Sequence, residues 1–158
     1  MKTCVIFHSY SGITRSVAQK VKAACGSDLI EVIPRKSYSS LTAYTLGCMR
    51  ARREEQDLVD PETINVSAYD LIVVGTPVWA FKATPATNAA VAGLRGSEGK
   101  KAVIFATCGG TPGETLPILK KALAGKGVTV VGEVLLTRKD IDAKTTELIT
   151  IIKAAAPA

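Results

Sequence analysis

Five short runs of apolar residues recur along the chain, and stretches with helical spacing separate them. The runs are rich in Val and Ile, and their residues are apolar throughout rather than alternating with polar ones. This pattern is typical of strands that are covered on both faces of a sheet. The strands that it predicts are residues 2–7, 28–33, 69–76, 101–107 and 128–136.

The segments between these runs have the spacing of amphipathic helices. In the first of them Ile13, Val17, Val21 and Ala24 fall on one side of a helix, and Gly26 is expected to end it. Gly47 disfavours the second helix, which contains it. The helices that the spacing predicts are residues 13–25, 41–56, 85–94, 114–125 and 140–155.

The alternation of strands and helices predicts a single three-layer α/β domain over residues 1–158. Its five strands would form a parallel sheet with right-handed crossovers and helices on both faces. The chain length, 158 residues, is the usual size of one domain, so we expect one hydrophobic core.

The cysteines and the lengths of the apolar runs indicate in which cellular compartment the protein is expected. The four cysteines form no C-x-x-C pair and no zinc-like spacing, and the lone His8 does not complete a metal set, so we expect no metal site. No signal sequence and no apolar run long enough for a bilayer stand out. We therefore expect a cytoplasmic protein with reduced thiols and no membrane contact.

The net charge of +6 raises the question of an acidic partner. The basic residues are scattered in small groups and are not interleaved with aromatic side chains, and no nucleic-acid motif is present. We expect solvated basic faces and no nucleic-acid binding.

The loop after the first predicted strand, SYSGIT at residues 9–14, has the composition of an anion site. Gly12 permits a tight turn, and the amides and dipole at a helix start favour a negative charge. Ser9, Ser11 and Thr14 can add hydroxyl donors. Neither G-K-[ST] nor G-x-G-x-x-G is present, so a terminal phosphate fits better than a P-loop or a dinucleotide. The alternative is an ordinary capped strand–turn–helix.

Two further loops follow the third and fourth predicted strands, and ligands bind at this end of parallel sheets. Trp79 and Phe81 could form an apolar shelf for a planar ring, or Trp79 could be a core residue at the sheet edge. The glycines of residues 106–114 allow close approach of the backbone to a ligand, or they mark a flexible crossover loop.

A phosphate loop, an aromatic shelf and a glycine loop at one end of a sheet suit a phosphorylated planar ring. With SYSGIT, TPVWAF and TCGGT in this order, the chain resembles the flavodoxins over nearly its whole length. The resemblance implies strand order 2-1-3-4-5, non-covalent FMN and electron transfer between partner proteins. The residues that it assigns to FMN are Ser9, Tyr10, Ser11, Gly12, Ile13 and Thr14 at the phosphate, and Thr76, Pro77, Val78, Trp79, Ala80, Thr107, Cys108, Gly109, Gly110 and Thr111 beside the ring.

The chain departs from the family pattern in three ways. Residues 107–111 contain no aromatic, so one flavin face would be open or be covered by Tyr44 or Phe81. Ala80 stands where the family often has Gly, and a positive φ costs Ala roughly 1 kcal/mol more than Gly, so we expect a less stabilised half-reduced flavin. Flavodoxins are typically acidic, whereas this chain is basic, so its redox partners could present acidic docking faces.

These observations favour a small FMN-dependent, low-potential electron carrier, because no residue set looks catalytic. The alternative is an NAD(P)H-dependent quinone or flavin reductase on the same fold. A flavin-free response regulator is excluded, since His8, Ser9 and Thr76 stand where it needs acidic residues.

Three features are left with two interpretations each. Cys108 is a small buried filler or a redox-sensitive thiol, and His8 is a strand-end residue without a role or a donor to the phosphate loop. Residues 35–60 contain a solvated helix, or they form a docking face or a cover over the flavin.

Overall fold

The computed structural model describes residues 1–155, so the last three residues of the predicted domain lie outside the described part. Five parallel strands form its central sheet in the order β2-β1-β3-β4-β5. Both the parallel sheet and the order 2-1-3-4-5 are confirmed. The strands are β1 (Thr3–Phe7), β2 (Asp28–Glu31), β3 (Leu71–Trp79), β4 (Lys101–Cys108) and β5 (Thr129–Thr137).

Helices cover both faces of this sheet and make the fold three-layered and doubly wound. The helices are α1 (Ile13–Cys25), α2 (residues 40–52), α3 (Pro85–Ala92), α4 (Thr115–Ala124) and α5 (Ile141–Ala154). Because side chains alternate along a strand, Val5, Val73 and Phe105 enter one apolar cluster, which includes residues of α1 and α5. The neighbouring Ile6, Ile72 and Ile104 enter the opposite cluster, which includes residues of α3 and α4.

Strands β2 and β5 at the sheet edges are less buried than the uniform apolar pattern predicts. In β5 exposed and half-buried residues alternate up to Val134, and only Val134 and Leu136 are buried. The second predicted strand is also shorter than expected, because Ile33–Pro34 leaves the sheet and pairs antiparallel with Val59–Asp60. A further two-residue pair joins Ile64–Asn65 to Leu94–Arg95.

Helix α2 consists of three consecutive parts. These are Ser40–Thr42, a π-helical turn at Ala43–Gly47, and Cys48–Arg52. Ser39 and Thr42 close its start with a reciprocal capping box, and the helix ends before the predicted residue 56.

The inner side of α2 packs on the end of β3. Ala43 and Ala51 form a small apolar cluster with Trp79, flanked by Tyr38 and Cys48. The segment after the helix is held by Arg50, which pairs with Glu55 and Asp57. Residues 38–57 therefore form a fixed cover over Trp79. No helix within residues 1–155 is long and apolar enough to cross a bilayer.

Candidate functional site

A cavity of about 580 Å³ opens at the carboxyl ends of the strands, within the usual size range of small-molecule sites. The loops after β1, β3 and β4 all contribute to its wall. Ten of the residues proposed from the sequence line it, namely Tyr10, Ser11, Ile13, Pro77, Val78, Trp79, Ala80, Thr107, Cys108 and Gly109.

The loop after β1 presents neutral donors at the start of α1. Gly12 has φ 95, a left-handed conformation that favours glycine, and it allows the chain to turn directly into the helix. The Ser9 hydroxyl oxygen accepts hydrogen bonds from the amides of Gly12 and Arg15, both at 3.2 Å, and so fixes the turn. The amides of the first helical turn have no acceptor within the helix, and the dipole makes this end positive.

The nearest cation to this loop is already engaged. The Arg15 guanidinium donates to both carboxylate oxygens of Glu31 on β2, with Nε at 3.0 Å from Oε2. An anion at this loop would therefore meet backbone amides, hydroxyl groups and the positive end of the helix dipole. Within residues 1–155, it would not meet a free cationic side chain at this loop.

The loop after β3 is a strained two-residue hairpin. The end of β3 pairs antiparallel with Lys82–Ala83, so Ala80 and Phe81 form the turn, with φ 48 and φ 69. A turn with two left-handed residues is usually made by Asn-Gly or Gly-Gly, and each such residue with a side chain costs about 1–2 kcal/mol.

Contacts outside the hairpin hold this turn in place. The amide of Glu114 donates to the Phe81 carbonyl at 3.0 Å, and Lys82 Nζ lies 3.5 Å from Glu54 and 3.2 Å from Glu114. The Phe81 side chain is 57% exposed and does not line the cavity. The turn therefore aims Ala80, and not Phe81, at the cavity.

Trp79 is both a core residue and part of the cavity wall. Only 9% of it is exposed, yet it lines the cavity. Its ring meets those of His8, Tyr10 and Tyr38 edge-on, with centroids 5.8, 5.6 and 5.3 Å away. These contacts fix the orientation of the indole. Trp79 is therefore a core residue that also lines the cavity, and its role as a shelf for a planar ring stays a prediction.

His8 is buried, and its hydrogen bond goes to Thr84 rather than to the loop after β1. Its Nδ1 shares a hydrogen bond of 2.8 Å with the Thr84 hydroxyl, and burial lowers the pKa of His8 to about 4. A chain of hydroxyls continues from Thr84 through Thr87 to Thr76, whose hydroxyl donates to the Pro77 carbonyl at 2.8 Å. A neutral His8 thus belongs to the network that supports the end of β3.

A buried pair of hydroxyls joins the end of β4 to the first turn of α1. Thr14 Oγ1 and Thr107 Oγ1 lie 2.8 Å apart, and both residues are buried. The Cys108 thiol is half-buried at the cavity wall and donates to the Gly110 carbonyl at 3.1 Å. The bond between the two threonines fixes the distance between two walls of the cavity.

The fold and the three loops together are those of a known family. The flavodoxin family model matches residues 2–136 of the chain. The chain belongs to the flavodoxin family. The resemblance inferred from the three motifs is thereby confirmed.

Several solved structures share this flavodoxin fold. A candidate flavoprotein from Bacteroides eggerthii DSM 20697 is 28% identical, with 96% of this chain and 98% of that chain covered and a TM-score of 0.77. A flavoprotein from Lactobacillus acidophilus NCFM in complex with FMN is 20% identical, with 91% and 98% covered and a TM-score of 0.70. The apo form of an NADH:FMN oxidoreductase is 16% identical, with 100% and 91% covered and a TM-score of 0.65. No curated protein matches the chain.

Six of the residues that the flavodoxin resemblance assigns to FMN do not line the cavity. Thr14 and Thr76 are buried and hydrogen-bonded within the protein, while Gly110 and Thr111 are exposed. Ser9 and Gly12 shape the turn before α1. In the described structure these residues, which are Ser9, Gly12, Thr14, Thr76, Gly110 and Thr111, frame the cavity or lie outside it.

The cavity wall also includes residues that the sequence motifs do not indicate. Of the two aromatics that were expected as possible covers of the flavin face, Tyr44 lines the cavity and is 82% exposed, whereas Phe81 does not line it. The wall beyond the loop after β4 comes from the end of β5 and the start of α5. The only sequence signal for it is Arg138, a polar residue directly after an apolar strand. The additional residues are Ala43, Tyr44, Cys48, Leu136, Thr137, Arg138 and Ile141.

Proposed function

We propose that this flavodoxin-family protein binds FMN non-covalently in the cavity and carries electrons at low potential between partner proteins. The observation that carries the proposal is the convergence of three loops on one cavity. Tyr10–Ser11, Pro77–Ala80 and Thr107–Gly109 come from separate parts of the chain and meet at one edge of the sheet. The FMN complex of the Lactobacillus acidophilus flavoprotein, which has the same fold, supports the choice of cofactor.

The cavity residues fit both ends of FMN. The α1 terminus, with Ser11 and the amides after Gly12, would hold the phosphate by neutral donors and the helix dipole. Trp79 and Pro77 would line one side of the ring, and Thr107–Gly109 the other. FMN, when bound, supplies the redox chemistry.

The protein's part is to orient the ring and keep water from it. The Trp79 indole is fixed by three aromatic neighbours, so it provides a rigid apolar wall. An apolar wall disfavours negative charge on the ring and so lowers its reduction potential.

A reductase that uses NAD(P)H directly is the second candidate. The wall near Gly109 and Arg138 carries no aromatic side chain that would close the outer face of the ring. The similar fold of the NADH:FMN oxidoreductase is consistent with this candidate. The carrier is preferred because the residues that line the cavity include no His, Asp or Glu for acid–base catalysis.

The net charge of +6 supports redox partners with acidic docking faces, since opposite charges accelerate encounter. All four cysteines, Cys4, Cys25, Cys48 and Cys108, are free thiols, which is consistent with the reducing conditions of the cytoplasm.

The visible spectrum of the purified protein tests the proposal. A yellow protein that retains FMN and shows no turnover with NADPH and a quinone would support the carrier. Turnover would support the reductase. Failure to bind FMN would remove both.

A further inference from the structure

Among the described residues that line the cavity, Arg138 carries the only charged side chain. It follows β5 directly and is exposed, and within residues 1–155 it makes no hydrogen bond and no salt bridge. The carboxylate closest to it in sequence, Asp140, accepts from the amide and the hydroxyl of Thr137 at 2.8 and 2.9 Å. Both bonds end on Oδ1 of Asp140 and lower its pKa, so the carboxylate stays ionised, but within residues 1–155 it forms no salt bridge with Arg138.

The surroundings of Arg138 are apolar on one side and bare backbone on the other. Leu136 and Ile141 line the cavity with it, and a Cβ built on Gly109 would lie 4.0 Å from Arg138 Nε. Because Gly109 has no side chain, this part of the cavity wall is covered by backbone only. A flat apolar ligand with one negative group fits such surroundings.

This part of the wall lies outside the motifs that would hold FMN. We call Leu136, Thr137, Arg138 and Ile141 the Arg138 wall. When FMN is bound, the α1 terminus would hold its phosphate and Trp79 would line one side of its ring. The proposed FMN site therefore assigns no role to the Arg138 guanidinium.

We infer that the Arg138 wall binds the anionic group of a second ligand, a planar organic compound that carries a carboxylate, sulfonate or phosphate. Its ring would lie against the open face of the flavin, beside Gly109, and its anionic group would meet the Arg138 guanidinium. A guanidinium is suited to this role because its planar fork donates two parallel hydrogen bonds to such groups. The inference rests on the proposed function, since FMN forms the other half of the site.

Two probes of equal shape test the charge requirement. The FMN-loaded protein is titrated with 2-naphthoate and with 2-naphthamide, and binding is followed by the change in the flavin spectrum. We expect naphthoate to bind at least about tenfold more tightly, the effect of one charge-assisted interaction, and the difference to shrink as salt is added.

Three variants assign this preference to Arg138. Arg138→Gln should bring naphthoate to the affinity of naphthamide, and Arg138→Lys should keep part of the preference. Lys139→Gln removes the same charge from the adjacent exposed residue, which does not line the cavity, and should leave the preference unchanged. Thermal melts of all variants check that the fold is retained.

Several outcomes would overturn the inference. These are equal binding of the two probes, an Arg138→Gln variant that still prefers naphthoate, or loss of the preference in Lys139→Gln. The inference also falls if Arg138→Gln weakens binding of FMN but not of riboflavin, because Arg138 would then serve the cofactor phosphate.

The fluorescence of Trp79 separates this inference from the proposed function. Trp79 is the single tryptophan and lines the cavity, so its emission reports ligands with or without flavin. If the protein binds no FMN, an Arg138-dependent preference for naphthoate in the flavin-free protein supports the anion site while the proposed function fails. If the flavin-free protein shows no preference either, both are overturned.

Discussion

Gly47 lies so close to the Trp79 indole that a Cβ built on it would come within 2.8 Å of Trp79 Cζ3. The same atom would lie 3.2 Å from Tyr38 Cε1. The Trp79 side chain cannot shift easily to relieve such a contact, because it is buried among three other aromatic rings. The glycine therefore allows α2 to lie directly on the wall of the cavity.

We predict that Gly47→Ala destabilises the protein although alanine is the better helix former. The gain in helix propensity is about 1 kcal/mol, whereas overpacking costs about 1–3 kcal/mol, so a net loss of about 1 kcal/mol is expected. Urea unfolding measures it. Thr45→Ala, at an exposed position of α2, is the control and should not destabilise. A Gly47→Ala protein more stable than the parent would show that the contact with Trp79 is not tight.

The strained turn at Ala80 predicts that an Ala→Gly substitution stabilises the protein there but destabilises it in a helix. Ala80→Gly relieves a left-handed alanine, and this gain of about 1–2 kcal/mol exceeds the cost of glycine in the unfolded chain, about 0.4–1 kcal/mol. The expected result is a protein more stable by up to about 1 kcal/mol. Ala122→Gly, on the exposed side of α4, should lose about 1 kcal/mol. If both variants lose stability equally in urea unfolding, the strain at Ala80 is absent.

His8 makes stability depend on pH. Its pKa is lowered to about 4 in the folded protein from an unfolded value of 6.5, because burial disfavours the charged ring. Between these values the unfolded chain binds the extra proton, so the stability contributed by His8 is complete above the unfolded pKa and is lost as pH falls toward the folded pKa. Glu31 and Arg15, the two charges that act on His8, have opposite and smaller effects.

The predicted loss is about 2 kcal/mol between about pH 7 and about pH 5. His8→Asn keeps a polar group near Thr84 but does not titrate. Between the two pH values, its free energy of unfolding in urea should therefore fall by about 2 kcal/mol less than that of the parent protein. Identical pH profiles for parent and variant would mean that His8 is protonated freely in the folded protein.

The hydrogen bond between the Thr14 and Thr107 hydroxyls predicts that substitutions at the two positions have non-additive effects on the free energy of unfolding. Thr14→Val leaves the Thr107 hydroxyl buried without this partner, at a cost of about 1–3 kcal/mol. Thr107→Val leaves the Thr14 hydroxyl without its partner at a similar cost. The double variant removes both groups and should be less destabilised than the sum of the two single variants. A double-mutant cycle in urea measures the coupling. Simple additivity would show that the hydrogen bond does not join the two segments.

The five strands and the three loops at their ends have local signals in the sequence, whereas the strand order was implied only by the resemblance to the flavodoxins. The buried central strands β1, β3 and β4 each coincide with an apolar run, and the SYSGIT, TPVWAF and TCGGT motifs lie at or just beyond the ends of these runs. The edge strands were predicted less well, since Ile33 and the first residues of β5 are apolar or mixed in sequence but lie at the exposed margin of the sheet.

Contacts between segments that are distant in the chain could not be predicted from the sequence. Gly47 looked unfavourable for a helix because its reason, Trp79, lies on another element. Arg138 lies in none of the three motifs, and its place in the cavity depends on how β5 meets β4. The positive φ of Ala80 is imposed by the hairpin with Lys82–Ala83, whether or not a flavin is bound. The expectation about the half-reduced flavin therefore stays a prediction.

Titration of the flavin-free protein with FMN, followed by Trp79 fluorescence, tests the central claim most directly. The single tryptophan lines the cavity, so binding there must alter its emission. We predict saturable quenching at one FMN per chain, with riboflavin binding more weakly because it lacks the phosphate that the α1 terminus would hold. Unchanged emission, with no FMN retained by the protein, would contradict the account.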